Sequence, residues 1–398
     1  MVDAKRASQV VKILPFFYLI LFPLAQLLRS DLRLLGKNLV IHPSDIVVFF
    51  SFLFLSSSFF KIPKLFRSLS NFLVIAGFSL LFSISFIPIN ELLVGFLYLA
   101  RIGAYFSFFV LVFNSIKKKS EKKNLFKLLI SVSFLSSFLG WIQYFLYPNL
   151  TFLKYSGWDD HLYRLTGTFL DPAFSGIILV FGFWLSFYSY LFKRGKFFAF
   201  LSLFFLISIA FTYSRASYLA LIASIFHLFV FKKRIKILAL VPLIFIVIVL
   251  FLPRPSSEGV RLERSRSVYS KVQNYKETLQ IIRQYPLFGV GFNNLCFVRM
   301  KTFGGEGASH ACSGSDSSLL FVLATTGILG LISFINILPV IVKNISRGIY
   351  GQSFLSCLIA LLIHSLFVNS LFYPWVMGFM GILLAISSQE KSGSKRYP

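Results

Sequence analysis

Arg215 stands in the run Thr212-Tyr213-Ser214-Arg215-Ala216-Ser217, wedged between two long apolar stretches. An ionisable residue in such a place is costly and usually has a purpose. A guanidinium is permanently charged and planar, so it can bind phosphate-like anions bidentately and stabilise developing negative charge. Snorkelling to the membrane interface is the competing reading. Arg164 lies beside a Gly-Thr turn in Tyr163-Arg164-Leu165-Thr166-Gly167-Thr168-Phe169-Leu170-Asp171-Pro172, and reads as a second anion contact or a solvated loop charge. Two groups qualify as a general base, Asp316 in Asp316-Ser317-Ser318-Leu319-Leu320 and His310 six residues earlier. For His310 an ordinary exposed loop histidine is the bland alternative.

Most of these groups belong to, or adjoin, one polar segment, roughly Pro253 to Ser317, which carries nine of the 40 Lys and Arg residues. Within it, Ser270 to Gln284 reads as an amphipathic helix with Val272, Tyr275, Leu279 and Ile282 on one stripe. Gly289, Gly291 and the run Gly304-Gly305-Glu306-Gly307 follow no predicted strand, so tight turns are expected there, not a nucleotide-binding loop. Cys296 and Cys312 flank the glycine run. A bridge between them would close a loop of about 17 residues and stabilise by roughly 3 kcal/mol on the chain-entropy estimate. Cys357 falls in an apolar run and reads as packing. No His/Cys/carboxylate spacing suggests a metal site, and no cofactor is expected.

The elements around these groups are dictated by composition. Apolar residues make up 57% of the 398, Phe alone contributes 51, and charged residues are only 14%. Continuous apolar runs near 20 residues match the thickness a membrane helix must cross, and a chain in lipid must satisfy its backbone internally. The expected class is an all-α integral membrane protein with about 12 spans, at 10–28, 45–60, 69–89, 91–113, 125–147, 169–192, 197–212, 216–231, 235–252, 318–342, 353–369 and 371–387. A bundle over 1–252, a long external loop over 253–317 and C-terminal spans with a tail over 318–398 follow. Lys5 and Arg6 precede an apolar run without a small-residue cleavage site, so that run is kept as the first span. Lys61/Lys64/Arg67, Lys117 to Lys127, Lys193/Arg194/Lys196, Lys232 to Lys236 and Lys343/Arg347 fall on alternating loops. The positive-inside bias therefore places both termini in the cytoplasm and 253–317 outside. The first connection is the exception, with Arg29, Arg33 and Lys37. The net charge of +26 is mostly this bias, and nucleic-acid binding is the wrong inference from it.

Three elements in order, Arg164-x-x-Gly-Thr-Phe, Ser214-Arg215-Ala216 and Pro286-Leu287-Phe288-Gly289-Val290-Gly291, resemble the O-antigen ligase and O-antigen polymerase superfamily over roughly residues 160–345. The resemblance implies a GT-C-like membrane glycosyltransferase that needs no metal. It would move a glycan from an undecaprenyl-diphosphate carrier to a sugar hydroxyl on the outer face of the bacterial cytoplasmic membrane. Acceptors of this class are a growing glycan, the lipid A core or another hydroxyl. The resemblance implies a histidine eleven residues before Gly327, where this chain has Asp316; Asp316 is then the base, or a loop bulge brings His310 to the site. It also implies an arginine about fifteen residues before Pro286. Lys271 occupies that place, keeping the charge without the fork, with Arg264 and Arg266 close by. A carboxylate in the histidine register departs from a standard ligase. A transporter or flippase for a lipid-linked glycan is the alternative, although no internal repeat is visible.

Overall fold

The structure, a computed structural model, describes residues 4–34, 36–54, 62–156, 158–231, 235–255, 257–304, 314–346 and 348–388. Helices dominate it. In chain order they are α1 (Ala4–Leu21), α2 (Pro43–Phe54), α3 (Lys64–Phe82), α4 (Ile89–Ser115), α5 (Lys119–Leu146), α6 (Pro172–Lys193), α7 (Lys196–Phe211) and α8 (Arg215–Phe231). They continue with α9 (Ile235–Leu250), α10 (Arg266–Gln284), α11 (Leu295–Phe303), α12 (Ser318–Ile335), α13 (Ile337–Asn344), α14 (Ile349–His364) and α15 (Pro374–Ser388). Among the described residues, five helical segments are long and apolar enough to cross a membrane: Lys64–Ser85, Ile89–Ser115, Lys119–Leu146, Pro172–Lys193 and Ser318–Asn344. Shorter apolar helices coincide with the remaining predicted runs. Large apolar side chains such as Phe78, Phe145, Phe197 and Phe251 stand exposed around the bundle. That surface suits lipid and not water, so the chain is a multi-pass membrane protein.

The helix α6 is the hub. It packs against α5, α7, α8 and α14, and its apolar window is 83% buried, against 33% for α3 at the periphery. Trp184, Phe181 and Phe183 are fully enclosed along it. The Trp184 indole donates to Ser224 Oγ on α8, which keeps its one polar atom satisfied in the core.

Three features depart from the sequence expectation. The first connection holds an antiparallel hairpin, β1 (Ser30–Leu34) and β2 (Lys37–Ile41), with Ser30 opposite Ile41 and Leu34 opposite Lys37. Gly36, at φ 77, makes its turn. The run expected as one span over 318–342 is broken inside α12 at Gly327, φ 66 and ψ −170, and again between α12 and α13. On α10 the buried stripe is Asn274, Thr278 and Ile281, while Val272 and Leu279 are 43% and 44% exposed. The helix turns a mixed polar face to the protein because that face makes hydrogen bonds there. Of the expected stripe, Val272 and Leu279 look outward, while Ile282 packs against the core and Tyr275 Oη donates to Leu366 O.

The connections fall into two groups. Hydrogen bonds tie those at 22–42, 147–171, 212–214, 251–317 and 365–373 to one another: Gln26 to Tyr373, Leu165 to Phe211, Tyr213 to Pro253 and Lys271 to Phe367. At the opposite end, Lys12 pairs with Glu121 at 3.2 Å, and Ser346 N donates to Ser387 O. The polar loop and the lysine-rich connections therefore occupy opposite ends of the bundle.

Candidate functional site

Two of the motif groups are joined by glycines. Gly289, at φ 69, lies so close to α12 that a Cβ would sit 2.5 Å from Thr325 C. A Cβ on Gly327 would sit 2.1 Å from Leu287 O. With both side chains absent, Val290 N donates to Ala324 O at 3.0 Å and Ile328 N to Pro286 O at 2.9 Å. Ser79 Oγ on α3 lies 2.6 Å from both Phe288 O in the loop element and Thr325 O beside the break in α12, and so joins the two. The loop element is thereby locked onto the helix whose N-terminus follows Asp316.

The other two groups meet through arginines. Arg164 donates from Nε to Thr212 O at 3.0 Å and from Nη2 to Tyr213 O at 3.2 Å. Arg264 reaches the same Tyr213 O at 3.2 Å while Nη1 donates to Gly259 O and Arg261 O. Arg215 donates from Nη1 to Leu262 O and Arg264 O, and from Nη2 to Ser267 Oγ at 2.7 Å. Arg215 and Arg264 thus staple the polar loop to the turn between α7 and α8, and Arg164 ties the connection before α6 to the same turn. Burial, then the Arg264 charge, pushes Arg164 down to about 9. Burial and the Arg215 charge lower Arg264 as well. Among the described residues none of the three forms an ion pair with a carboxylate; Asp171, Asp159 and Glu258 offset their charge only from a distance.

Beside this cluster lies a polar cavity of about 440 Å³. Asp316 and Lys271 line it together, with Lys271 Nζ 3.0 Å from Asp316 Oδ1 and 2.8 Å from Phe367 O. Asp316 N donates to Asn274 Oδ1 at 3.0 Å, and Ser317 caps α12 by accepting from Leu320 N. The carboxylate therefore precedes a helix N-terminus, where negative charge is favoured. Burial and the Asp316 charge push the neighbouring Tyr275 phenol up to about 12. Behind the pair, Arg299 bridges Gly314 O, Thr278 Oγ1 and Glu277, holding the approach to residue 316. Asn369 Oδ1, on another wall, is buried without a hydrogen-bond partner among the described residues.

Of the sequence-selected residues, Asp316 and Lys271 share the cavity, while Arg164, Arg215 and Arg264 form the adjoining cluster and do not line it. Arg164 is coupled electrostatically to Asp171 and Asp159, which do line it. Arg266 opens α10, but its side chain lies outside the described residues, as do His310 and Cys312. Cys296 is disulfide-bonded and Cys357 is free and buried. Asp171 caps α6, accepting from Ala173 N and Phe174 N at 2.6 and 2.9 Å.

The opposite wall was not anticipated. Gln26, Arg29, His42 and Arg101 line it, all from the N-terminal third. His42 Nε2 lies 3.0 Å from Gln26 Oε1, and Gln26 Nε2 donates to Tyr373 Oη at 2.9 Å. Asp45 receives Arg101 at 3.2 Å, Tyr105 Oη at 3.1 Å and the His42 backbone N–H at 2.9 Å. Two signals pointed here: Arg29 breaks the charge bias of its loop, and Arg101 is an ionisable residue inside an apolar run.

A second, apolar cavity of about 160 Å³ lies among α3, α4, α13, α14 and α15. It shares Ile102, Phe372 and Met377 with the polar one, so the two adjoin. Polar head space and apolar tail space are the two needs of an amphiphile.

Residues 197–335 match the family model described as O-antigen ligase. A comparison with curated proteins returns no match. The matched segment runs from α7 through the arginine cluster and the polar loop to the end of α12. That match, about a third of the chain, supports a likeness to the O-antigen ligase and polymerase superfamily.

Proposed function

We propose that this protein transfers or polymerises a glycan at the outer face of a bacterial cytoplasmic membrane, from an undecaprenyl-diphosphate carrier to a sugar hydroxyl. The observation that carries this reading is the pair of adjoining cavities, one polar with Asp316 and Lys271, one lined by apolar side chains. The second has room only for the part of a prenyl chain next to the diphosphate, and the sugars would occupy the first. The acceptor hydroxyl gives its proton to the Asp316 carboxylate and attacks the anomeric carbon. The bond from that carbon to the diphosphate oxygen breaks, and the prenyl diphosphate departs with the added negative charge. Lys271, 3.0 Å from Asp316, pairs with the base and fixes its position in the cavity. Arg215, Arg164 and Arg264, with Arg266 at the start of α10, supply positive charge beside the cavity for the leaving group. Arg164 Nη1 and the Nε of Arg215 and Arg264 stand outside the contacts that hold the three in place. No step requires a metal ion.

The test is transfer by purified protein from an undecaprenyl-diphosphate-linked glycan, comparing wild type with Asp316→Asn and Arg215→Ala. Losing a general base costs about 10²–10⁴-fold, so both variants should lose product while retaining the wild-type unfolding profile. Activity kept in Asp316→Asn would move the base to His310. Transport of the lipid-linked glycan into vesicles without covalent product would replace the enzyme reading with a carrier.

A further inference from the structure

The polar cavity has a wall that the proposed chemistry does not use. Arg101 lines it, with Nη2 directed to Asp45 and Val40 O and its guanidinium 4.8 Å from the Tyr98 ring centre. Its Nε and Nη1 have no protein partner among the described residues. Arg29 lines it too, bound through Nε and Nη2 to Asp31 and stacked 5.4 Å over Trp158, with Nη1 left over. In both pairs the arginine faces the cavity and its carboxylate does not. The cations are held in place from behind and present donors forward. Such preorganised forks suit a carboxylate or phosphate group.

The rest of the lining indicates which anion. Trp158, Tyr373 and Phe174 are aromatic, and the last two stack at 3.9 Å. Asp159 and Asp171 also face the space. Aromatic faces accept the C–H surface of a sugar ring, and carboxylates accept its hydroxyls. A bare diphosphate has no hydroxyl donors for Asp159 and Asp171, whereas an acidic sugar can give its charge to the arginines and its hydroxyls to the carboxylates. We infer that Arg101 and Arg29 form a subsite for an acidic sugar, one carrying a carboxylate or phosphate substituent, within the transferred or accepting glycan. This subsite rests on the proposed function for its place in the reaction, but its ligand chemistry stands on the wall itself.

Binding to the full-length protein in nanodiscs tests it without requiring turnover. The probes are a glucuronate-containing oligosaccharide, the same oligosaccharide with that carboxylate reduced to a hydroxymethyl group, and farnesyl diphosphate. Wild type should bind the acidic oligosaccharide about tenfold more tightly than the reduced one, the scale of one charge-assisted hydrogen bond. Arg101→Gln should abolish that preference and leave farnesyl diphosphate binding unchanged. Where Arg101→Gln does not fold, Arg101→Lys, which keeps charge but loses the fork, and Arg29→Gln should each reduce the preference. Equal binding of both oligosaccharides by wild type, or a preference unchanged in every folded variant, overturns the subsite. Loss of farnesyl diphosphate binding with the sugar preference intact assigns the arginines to the carrier and also overturns it. Absence of transfer with the acidic preference intact counts against the proposed reaction alone.

Discussion

Arg164, Arg215 and Arg264 lie close enough to disfavour one another's charge, yet carbonyls of residues 212–213 and 259–264 hold them together. Charged donors to backbone oxygens are worth more than neutral ones, which offsets part of the repulsion. His161, 5% exposed, lies beside this cluster with neither ring nitrogen hydrogen-bonded among the described residues. Burial, then the Arg164 charge, pushes its pKa from 6.5 down to about 3. The folded state therefore holds neutral His161, while the unfolded chain takes up a proton below 6.5. This group's contribution to stability is complete above pH 6.5 and is lost as pH falls toward 3, at up to about 1.4 kcal/mol per pH unit. Unfolding measured from pH 7.5 to 4.5 should show this acid loss, and His161→Phe should flatten it. A wild-type profile already flat over that range would contradict the assignment.

The decisive element is α12. Its break at Gly327 lets the loop element 285–291 pair with it, and that pairing positions the N-terminus after Asp316. A side chain at 327 meets both a positive φ and Leu287 O at 2.1 Å, whereas at Gly36 the positive φ meets open space. Gly36→Ala should therefore cost about 1 kcal/mol, the left-handed penalty alone. Gly327→Ala should cost at least about 3 kcal/mol, in the range of severe backbone and packing disruption. Thermal unfolding in one detergent compares them directly, and equal costs would refute the interlock. Non-glycine residues at positive φ, Tyr163, Leu170, Tyr213 and Asn293, fall in or beside the same motif groups. Backbone strain of this kind persists where surrounding structure over-determines it, and often at sites of function.

For the molecule as a whole, two ends of the bundle carry different chemistry. Cavity, arginine cluster and polar loop share one end; Lys118, with Lys123 in the first turns of α5 and Lys193 at the end of α6, lies at the other. The positive-inside bias assigns the lysine end to the cytoplasm. In intact cells, a cysteine introduced at the exposed Lys154 should react with a membrane-impermeant maleimide, and one at Lys118 only after permeabilisation. Reaction at Lys118 in intact cells would invert the orientation and remove the outer-face reading of the site.

The chain's apolar runs were legible because a bilayer imposes length and composition on any helix that crosses it. The polar loop and its helix were legible for a related reason, since charged residues are rare here and stand out against apolar surroundings. Asp316 and Lys271 were separate candidates, and their pairing came from the structure. The hairpin escaped notice because Arg29 to Lys37 breaks an apolar pattern without an alternating one. The face of α10 was misread because its apolar stripe gave no hint that Asn274 and Thr278 would bond Asp316 and Arg299. The assembly of the cavity's N-terminal wall was not legible, although Arg29 and Arg101 each stood out as charges in unusual places. Gln26 meets Tyr373 across 347 residues, and Lys271 meets Phe367 across 96. Local pattern reports what each segment must become in lipid; which side chains then face one another is decided by how the helices pack.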